Sequence, residues 1–112
     1  MRNISFMLTP DQVLDQTKDV TRRQGWLKLK PGDLLQPVRK GMGLKKGEKV
    51  EKLGPPIRVK SVIRMNINLI HEADCKREGF PDMTPYQFTE FYCKANKCKP
   101  TDLCTRIEFE YT

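Results

Sequence analysis

The last stretch of the chain places the strongest constraint on its fold. From Arg106 to Tyr111 apolar and charged residues alternate, so that Ile107, Phe109 and Tyr111 share one face and charged residues occupy the other. Because successive side chains of a β-strand point to opposite faces, this alternation predicts a strand with one buried face. The chain is therefore expected to build a sheet that receives this strand.

Three further segments are predicted to be strands. They are Ile4 to Leu8, Leu34 to Arg39 after a Lys-Pro-Gly-Asp turn, and Ile57 to Arg64. In the last segment we expect Ile57, Val59 and Ile63 to share the apolar face, with the basic residues on the other.

The pattern Thr-Pro-x-Gln occurs twice, beginning at Thr9 and at Thr84, and predicts a helix start each time. Threonine can cap the helix, proline fits its first position, and glutamine completes a capping box. The first helix is expected to end at about Gln16. The second carries apolar residues at i, i+3, i+4 and i+7, which predict an inward-facing stripe. These residues are Phe88, Phe91, Tyr92 and Ala95.

A third helix is predicted from Asn68 to Arg77, with Leu69 and Ala73 facing inward and Gly79 ending it. Short strands interrupted by two or three helices indicate an α+β fold. We expect a small mixed or antiparallel sheet that curls into a β-barrel and is capped by the helices.

The length of 112 residues predicts one domain, spanning residues 1–112, because a second core would leave neither half large enough. No apolar run approaches the roughly 18 residues that a membrane-spanning helix needs, and the N-terminus lacks the apolar stretch of a signal peptide. We therefore expect a cytoplasmic protein without a membrane partner.

The four cysteines are Cys75, Cys93, Cys98 and Cys104. Their spacings are C-x4-C and C-x5-C without the C-x2-C pair of a zinc knuckle, and a cytoplasmic location favours reduced thiols. His71 is the only histidine and is expected at the surface. With one histidine and scattered acidic residues, we expect neither a metal centre nor a cofactor.

The charge is unevenly distributed along the chain. Residues 18–64 carry 14 Lys or Arg against 4 Asp or Glu, whereas residues 65–112 carry 6 against 8. A basic half joined to a near-neutral half is typical of proteins that bind nucleic acid, although a solvated basic face produces the same pattern. Within the basic half, Gly41 to Gly47 lacks the spacing of a phosphate-binding loop and is interpreted as a basic hairpin able to contact a sugar-phosphate backbone.

The most specific pattern is the stretch QTKDVTRRQGW at residues 16–26. It contains the spacing Lys18-x-x-Thr21-x-Arg23, which resembles the hallmark G-x-K-x-x-x-x-R of the ASCH domain, a member of the PUA-like superfamily. Gln16 stands where that family has glycine. The resemblance extends over nearly the whole chain, since similar segments follow at 30–33, 77–80 and 105–109.

The resemblance implies a compact β-barrel closed on one side by helices, with a positively charged cleft and a role close to RNA or nucleotides. Small bacterial members of the family hydrolyse N4-acetylcytidine with a lysine, a threonine three residues later and a downstream glutamate. By this resemblance the catalytic residues are Lys18, Thr21 and Glu78.

The same three residues allow hydrolytic chemistry on physical grounds. A partly buried lysine crowded by Arg22 and Arg23 has a lowered pKa and can accept the Thr21 proton, directly at about 2.6–3.2 Å or through one water. Glu78 would orient the lysine or protonate the leaving amine, and Arg23 would stabilise an oxyanion or a phosphate. The alternative is an ordinary ion pair between Lys18 and Glu78, without chemistry.

Nucleic acid is expected to contact a wider set of residues than the catalytic three. Trp26 is either a core residue or a platform on which a base stacks at the rim of the cleft. The predicted nucleic-acid-binding residues are Arg22, Arg23, Trp26, Arg39, Lys40, Lys45, Lys46, Arg58 and Lys60.

Three functions stay open at the level of the sequence. The protein holds RNA or a modified cytidine in a basic cleft; alternatively, it is an amidohydrolase that deacylates N4-acetylcytidine, or a ribonuclease that uses Lys18 as base or charge stabiliser. The pairing of lysine with threonine favours deacylation, whereas the basic half favours RNA binding or cleavage.

Overall fold

Five β-strands and three α-helices make up the chain, and the computed structural model describes all residues from 1 to 112. In chain order they are β1 (Arg2–Ser5), α1 (Pro10–Leu14), β2 (Val20–Arg23), β3 (Leu34–Val38), β4 (Ile57–Asn66), α2 (Glu72–Arg77), α3 (Pro85–Asn96) and β5 (Leu103–Tyr111). The strands form one mixed sheet in the order β1-β3-β4-β5-β2, in which only the β1–β3 pair is parallel. The predicted α+β class is confirmed, with three helices where the sequence predicts two or three.

The two edge strands, β1 and β2, approach each other without pairing through their backbones. Arg23 at the end of β2 donates from its guanidinium group to the carbonyl oxygen of Ser5 at the end of β1, at 2.6 Å. β1 ends there and not at Leu8 as predicted, because the following residues turn toward α1. The sheet therefore has an unpaired seam between β1 and β2, and its backbone hydrogen bonds do not close the predicted barrel.

Two hydrophobic clusters form the core. The larger one joins the sheet to α1 and consists of Ile4, Phe6, Val13, Leu35, Leu53, Ile57, Val59, Ile107 and Phe109. The smaller one lies beneath α2 and α3 and consists of Ile67, Ile70, Cys75, Phe88, Tyr92 and Cys104. The burial of Ile107 and Phe109 confirms the alternation predicted for the last strand.

A β-bulge in β4 changes which of its residues face the core. Lys60 is an extra residue between Val59 and Ser61, which pair with successive positions of β5. Because two residues then face one on the partner strand, the alternation reverses beyond the bulge. Val62 consequently packs against the larger cluster, and Ile63 is 48% exposed. The prediction that Ile63 shares the buried face is therefore wrong.

The third predicted helix is shorter than its pattern indicated. In place of one helix over 68–77, a single 3-10 turn is followed by extended backbone at Ile70, and only then by α2. This break rotates α2 relative to the turn, so Leu69 and Ala73 are exposed, contrary to the prediction. Gly79 follows the end of α2 with a φ of +99°, which confirms its predicted role as a helix stop.

The two predicted helix starts have different outcomes. α3 begins with the complete capping box, in which Thr84 accepts from the Gln87 N–H at 3.1 Å and the Gln87 side chain accepts from the Thr84 N–H at 3.0 Å. Thr9 makes no such bond at α1. Gln12 instead donates to the Gly79 carbonyl oxygen at 3.1 Å, so it joins α1 to the end of α2.

Candidate functional site

The stretch at 16–26 supplies β2, an edge strand that the sequence analysis did not predict. Thr21 pairs with Ile107 of β5, in the antiparallel direction. Thr21 and Arg23 are two positions apart and therefore share one face of the strand. Arg23 Nε donates to Thr21 Oγ1 at 2.9 Å. The strand thus fixes a hydroxyl group and a guanidinium group side by side at the seam.

Lys18 precedes β2, and its ammonium group is buried against the end of α2. Both Lys18 and Glu78 are only 3% exposed. Lys18 Nζ donates to the Glu78 carbonyl oxygen at 2.5 Å and lies 3.4 Å from Glu78 Oε1. The ring centroids of Phe6 and Phe80 lie 5.8 and 5.9 Å from Nζ. The lysine is therefore held by one acidic residue and two aromatic rings.

Arg22 links this ion pair to a second carboxylate. Its Nη1 donates to Glu78 Oε2 at 2.9 Å, and its Nη2 donates to Asp74 Oδ2 at 2.8 Å. Arg106 of β5 donates to the same Asp74 oxygen at 2.8 Å. Arg22 Nε is buried and has no partner in the protein. One donor of this network therefore remains unsatisfied.

The network shifts the pKa of several of its members. Burial lowers the pKa of Lys18 to about 8, although the nearby carboxylate opposes the change. Burial also lowers the pKa of Arg23, to about 10, so this group stays charged near neutral pH. Burial alone would raise the pKa of Asp74, but hydrogen bonds from two arginines outweigh it and lower the pKa to about 2. Of these three groups, Lys18 changes its charge closest to physiological pH.

A cavity of about 430 Å³, a size typical of small-ligand pockets, lies at the seam and is lined by part of this network, Lys18, Arg22 and Glu78, together with Arg23. One side is aromatic and includes Phe80 and the inward stripe of α3. Phe80 and Phe91 pack with ring centroids 5.2 Å apart. The other side is polar: its cations are Lys18, Arg22 and Arg23, its anion is Glu78, and Thr21 adds a hydroxyl group. The cavity therefore combines an apolar wall with an excess of positive charge.

The structure brings five of the predicted site residues into this one cavity: Lys18, Thr21, Arg22, Arg23 and Glu78. The expected hydrogen bond between Lys18 and Thr21 is absent. Lys18 Nζ is bonded to Glu78, and Thr21 Oγ1 accepts from Arg23. Direct proton transfer from the hydroxyl to the amine thus requires the lysine to leave Glu78, and transfer without that movement requires a water between the two groups.

Trp26 lies outside the lining of the cavity. It is half-buried and packs against the larger hydrophobic cluster. The guanidinium carbon of Arg2 lies 3.7 Å from the centre of the Trp26 ring. The tryptophan therefore already stacks with a cation of the N-terminal strand.

The other predicted binding residues also lie outside the cavity lining. Four of them belong to residues 39–52, here called the basic loop, which contains Arg39, Lys40, Lys45, Lys46, Lys49 and Lys52. An isolated bridge between Val38 and Lys52 closes its base, and no strands form within it, so the predicted hairpin is a loop. Arg58 and Lys60 lie on β4 and pair with Glu110 at 3.4 Å and Glu108 at 3.5 Å.

Sequence reasoning missed two parts of the site. Asp74 and Arg106 complete the charge network. For the segments that contain them, the sequence predicted a helix and a strand but no site residue. No spacing rule connects a helix residue with a strand residue so far along the chain. Of the α3 stripe that was predicted to pack inward, Phe88 and Tyr92 are buried, but Phe91 is half-buried, Ala95 is exposed, and all four residues line the cavity. The amphipathic pattern of α3 predicts packing and does not indicate a ligand-binding cavity.

The polar side chains of the chain do not form a metal site. Nowhere in the chain do three or more His, Cys, Asp or Glu side chains converge in a way that could hold a metal ion. The four cysteines are free, with Cys75 and Cys104 buried. No helix has the length and apolar character needed to cross a membrane.

Comparison with known proteins gives matches in structure but not in sequence. The chain matches no protein-family model, and no curated protein matches it. An ASCH domain from Lactobacillus crispatus JV V101 superimposes with a TM-score of 0.65 and 15% identity, over 97% of this chain and 79% of that one. A protein from Enterococcus faecalis V583, described by the family model DUF984, gives a TM-score of 0.64 and 16% identity, over 98% and 80%.

Both likenesses cover nearly all of this chain, so they concern the whole sheet and its helices. At this level of identity they show the fold and not the activity. The resemblance drawn from the hallmark spacing at Lys18 is therefore confirmed at the level of architecture. The chain has the fold of the ASCH domain.

Proposed function

We propose that the cavity binds a nucleoside, either free or as part of RNA, and that the protein is an RNA- or nucleoside-binding protein. A base can lie against the aromatic wall formed by Phe80 and Phe91, because stacking on an aromatic ring contributes roughly 1–3 kcal/mol per base. The excess of buried cations opposite that wall suits carbonyl oxygens or phosphate oxygens.

The observation that carries this proposal is the opposition of an aromatic wall and a buried cationic cluster across one cavity of about 430 Å³. A purely structural ion-pair network would be packed on all sides. Here its members Lys18, Arg22 and Glu78 reach the cavity, although each is less than 5% exposed. The basic loop would add contacts to the backbone of a longer RNA.

Calorimetry with cytidine, N4-acetylcytidine and a short single-stranded RNA tests the proposal. Phe91→Ala removes part of the aromatic wall and is expected to weaken binding about tenfold or more. Tyr86→Ala is the matched control, since Tyr86 lies on the same helix, is 73% exposed and does not line the cavity. Equal effects of the two substitutions, or no binding of any of the three ligands, would contradict the proposal.

A second candidate is hydrolysis of an acylated cytidine, favoured by the lowered pKa of Lys18 and its place in the same cavity as Thr21. Neutral Lys18 would take the Thr21 proton while Oγ1 attacks the acyl carbonyl carbon. The cytidine amine would leave with a proton, and water would hydrolyse the threonine ester to release the acid. Arg23, which is bonded to Oγ1, would stabilise the developing negative charge.

Thr21→Val tests this chemistry, because it removes the hydroxyl and nearly preserves the shape. The variant is expected to bind N4-acetylcytidine but to release no cytidine, whereas the wild-type protein releases it and carries a transient acyl group on Thr21. Chromatography and intact-mass measurement would follow both species. Undiminished release by Thr21→Val would exclude the threonine nucleophile, and cleavage of labelled RNA in a parallel reaction would favour the ribonuclease.

A further inference from the structure

The C-terminal end of α3 brings two cysteines together. Lys97, just beyond the helix, has left-handed backbone angles, with φ 53° and ψ 50°. The Cys98 N–H donates to the Cys93 carbonyl oxygen at 3.1 Å, which is the wide hydrogen bond of a Schellman motif. The side chains at the two ends of that bond frequently touch. In this chain both of those side chains are thiols.

The surroundings of this pair differ from those of the other two cysteines. Cys93 and Cys98 are half-buried at the edge of the smaller hydrophobic cluster, whereas Cys75 and Cys104 are 1% and 0% exposed. Burial, and then interaction with the Cys98 thiol, raise the pKa of the Cys93 thiol to about 11. The two thiols are therefore neighbours in space as well as accessible to a small reagent.

The residues next to Cys98 also favour an anionic reagent. Lys97 and Lys99 flank it in the sequence, and both are exposed. Positive charge near a cysteine attracts negatively charged disulfides. The raised pKa of Cys93 leaves it with little thiolate near neutral pH, so we expect Cys98, between its two lysines, to react first.

We infer that Cys93 and Cys98 form a site of reversible oxidation, at which a small anionic disulfide such as oxidised glutathione converts the two thiols into one intramolecular disulfide. The Cys98 thiolate attacks one sulfur of the reagent and displaces a glutathione thiolate. Cys93 loses its proton, attacks Cys98 Sγ and displaces the second glutathione. The protein gives up two electrons and two protons, and the reagent takes them up as two thiols.

The disulfide closes a ring over the last turn of α3. Ala95 and Asn96 belong to this turn and line the cavity. Asn96 Nδ2 also donates to the Tyr92 carbonyl oxygen at 2.9 Å, so the turn is tied to a residue of the aromatic stripe. Oxidation therefore restrains one wall of the candidate site without adding a group to the cavity.

The test uses the reduced wild-type protein, incubated with oxidised glutathione and analysed by thiol titration and peptide mapping. Two of the four thiols should disappear, and the peptides that contain Cys93 and Cys98 should become cross-linked. The cross-linked protein should melt roughly 5 °C higher, and dithiothreitol should reverse the change. A glutathione adduct without a cross-link, a cross-link to Cys104, or a lower melting temperature would overturn the inference.

Two single substitutions separate the steps. Cys93→Ser should accumulate a glutathione adduct on Cys98, because the second thiol that resolves it is missing. Cys98→Ser should react much more slowly than the wild-type protein. If Cys98→Ser reacts as fast as the wild-type protein, Cys98 does not initiate the exchange and the inference is wrong.

Discussion

The cavity and the basic loop are both rich in cations, but they hold them in opposite ways. In the cavity, Lys18 and Arg22 are buried and bonded to carboxylates. In the basic loop, Lys45 and Lys46 are exposed and make no ion pair. The stability of a buried charge depends strongly on each of its partners, because an unpaired charge is costly in the protein interior. Exposed charges are screened by salt and act nearly independently. Similar residues in one basic half therefore have different physical roles.

The largest expected effect is on stability, and it contrasts one glutamate from each region. Glu78→Gln leaves Lys18 and Arg22 without their shared carboxylate, and breaking such a buried pair costs about 3–5 kcal/mol. Glu51→Gln breaks the pair with Arg39 in the basic loop, where the side chains are 43% and 60% exposed, and should cost at most about 1 kcal/mol. Urea denaturation measures both, and equal losses would contradict the comparison.

The next effect is on binding of polynucleotides by the basic loop. Replacing Lys45 and Lys46 by glutamate should flatten the plot of log K against log salt by about 1.4, since each lost single-strand phosphate contact contributes about 0.7. At about 0.1 M salt this corresponds to roughly 25-fold weaker binding. The control is the same double reversal at Lys97 and Lys99, which lie outside the loop. A matching loss in the control would mean that net charge, and not the loop, determines binding.

The smallest effect concerns pH and separates a binding role of Lys18 from a catalytic one. With a lowered pKa of about 8, Lys18 is mostly protonated at pH 7 and becomes neutral as the pH rises through 8. If neutral Lys18 is the base, turnover of N4-acetylcytidine should rise about fivefold from pH 7 to pH 8. If its charge only holds an anion, binding of cytidine monophosphate should weaken over the same interval. A flat profile in both assays would exclude Lys18 from either role.

The sequence predicted the parts of the fold that depend on local patterns. The alternation at Ile107 and Phe109 and the capping box at Thr84 are confirmed, because both arise from neighbouring residues. The orientation of Ile63 was missed, since the bulge at Lys60 depends on the register with β5. β2 was missed as well, because its partly polar sequence becomes a strand only beside another strand.

The candidate site shows the same division between local and distant information. The spacing of Lys18, Thr21 and Arg23 on one segment was visible, and the family resemblance pointed to Glu78. The bonds from Arg22 to Asp74 and from Arg106 to the same carboxylate join segments far apart in the chain, which no local pattern specifies. Glu78 takes the Lys18 ammonium group as its partner, so no hydrogen bond forms between Lys18 and Thr21. Only the three-dimensional packing determines which of these partners the lysine has.

The position of β5 in the sheet has a consequence for the order in which the molecule assembles during synthesis. β1, β3 and β4 are neighbours in the sheet and are complete once Asn66 has been made. β2 is made early, but its only partner is β5, and the Lys18 carbonyl oxygen accepts from the hydroxyl of Tyr111, 93 positions later. Such distant pairing forms late because its closure entropy is large. We therefore expect Lys18 and Arg22, beside and on β2, to join their carboxylates only after β5 has been made.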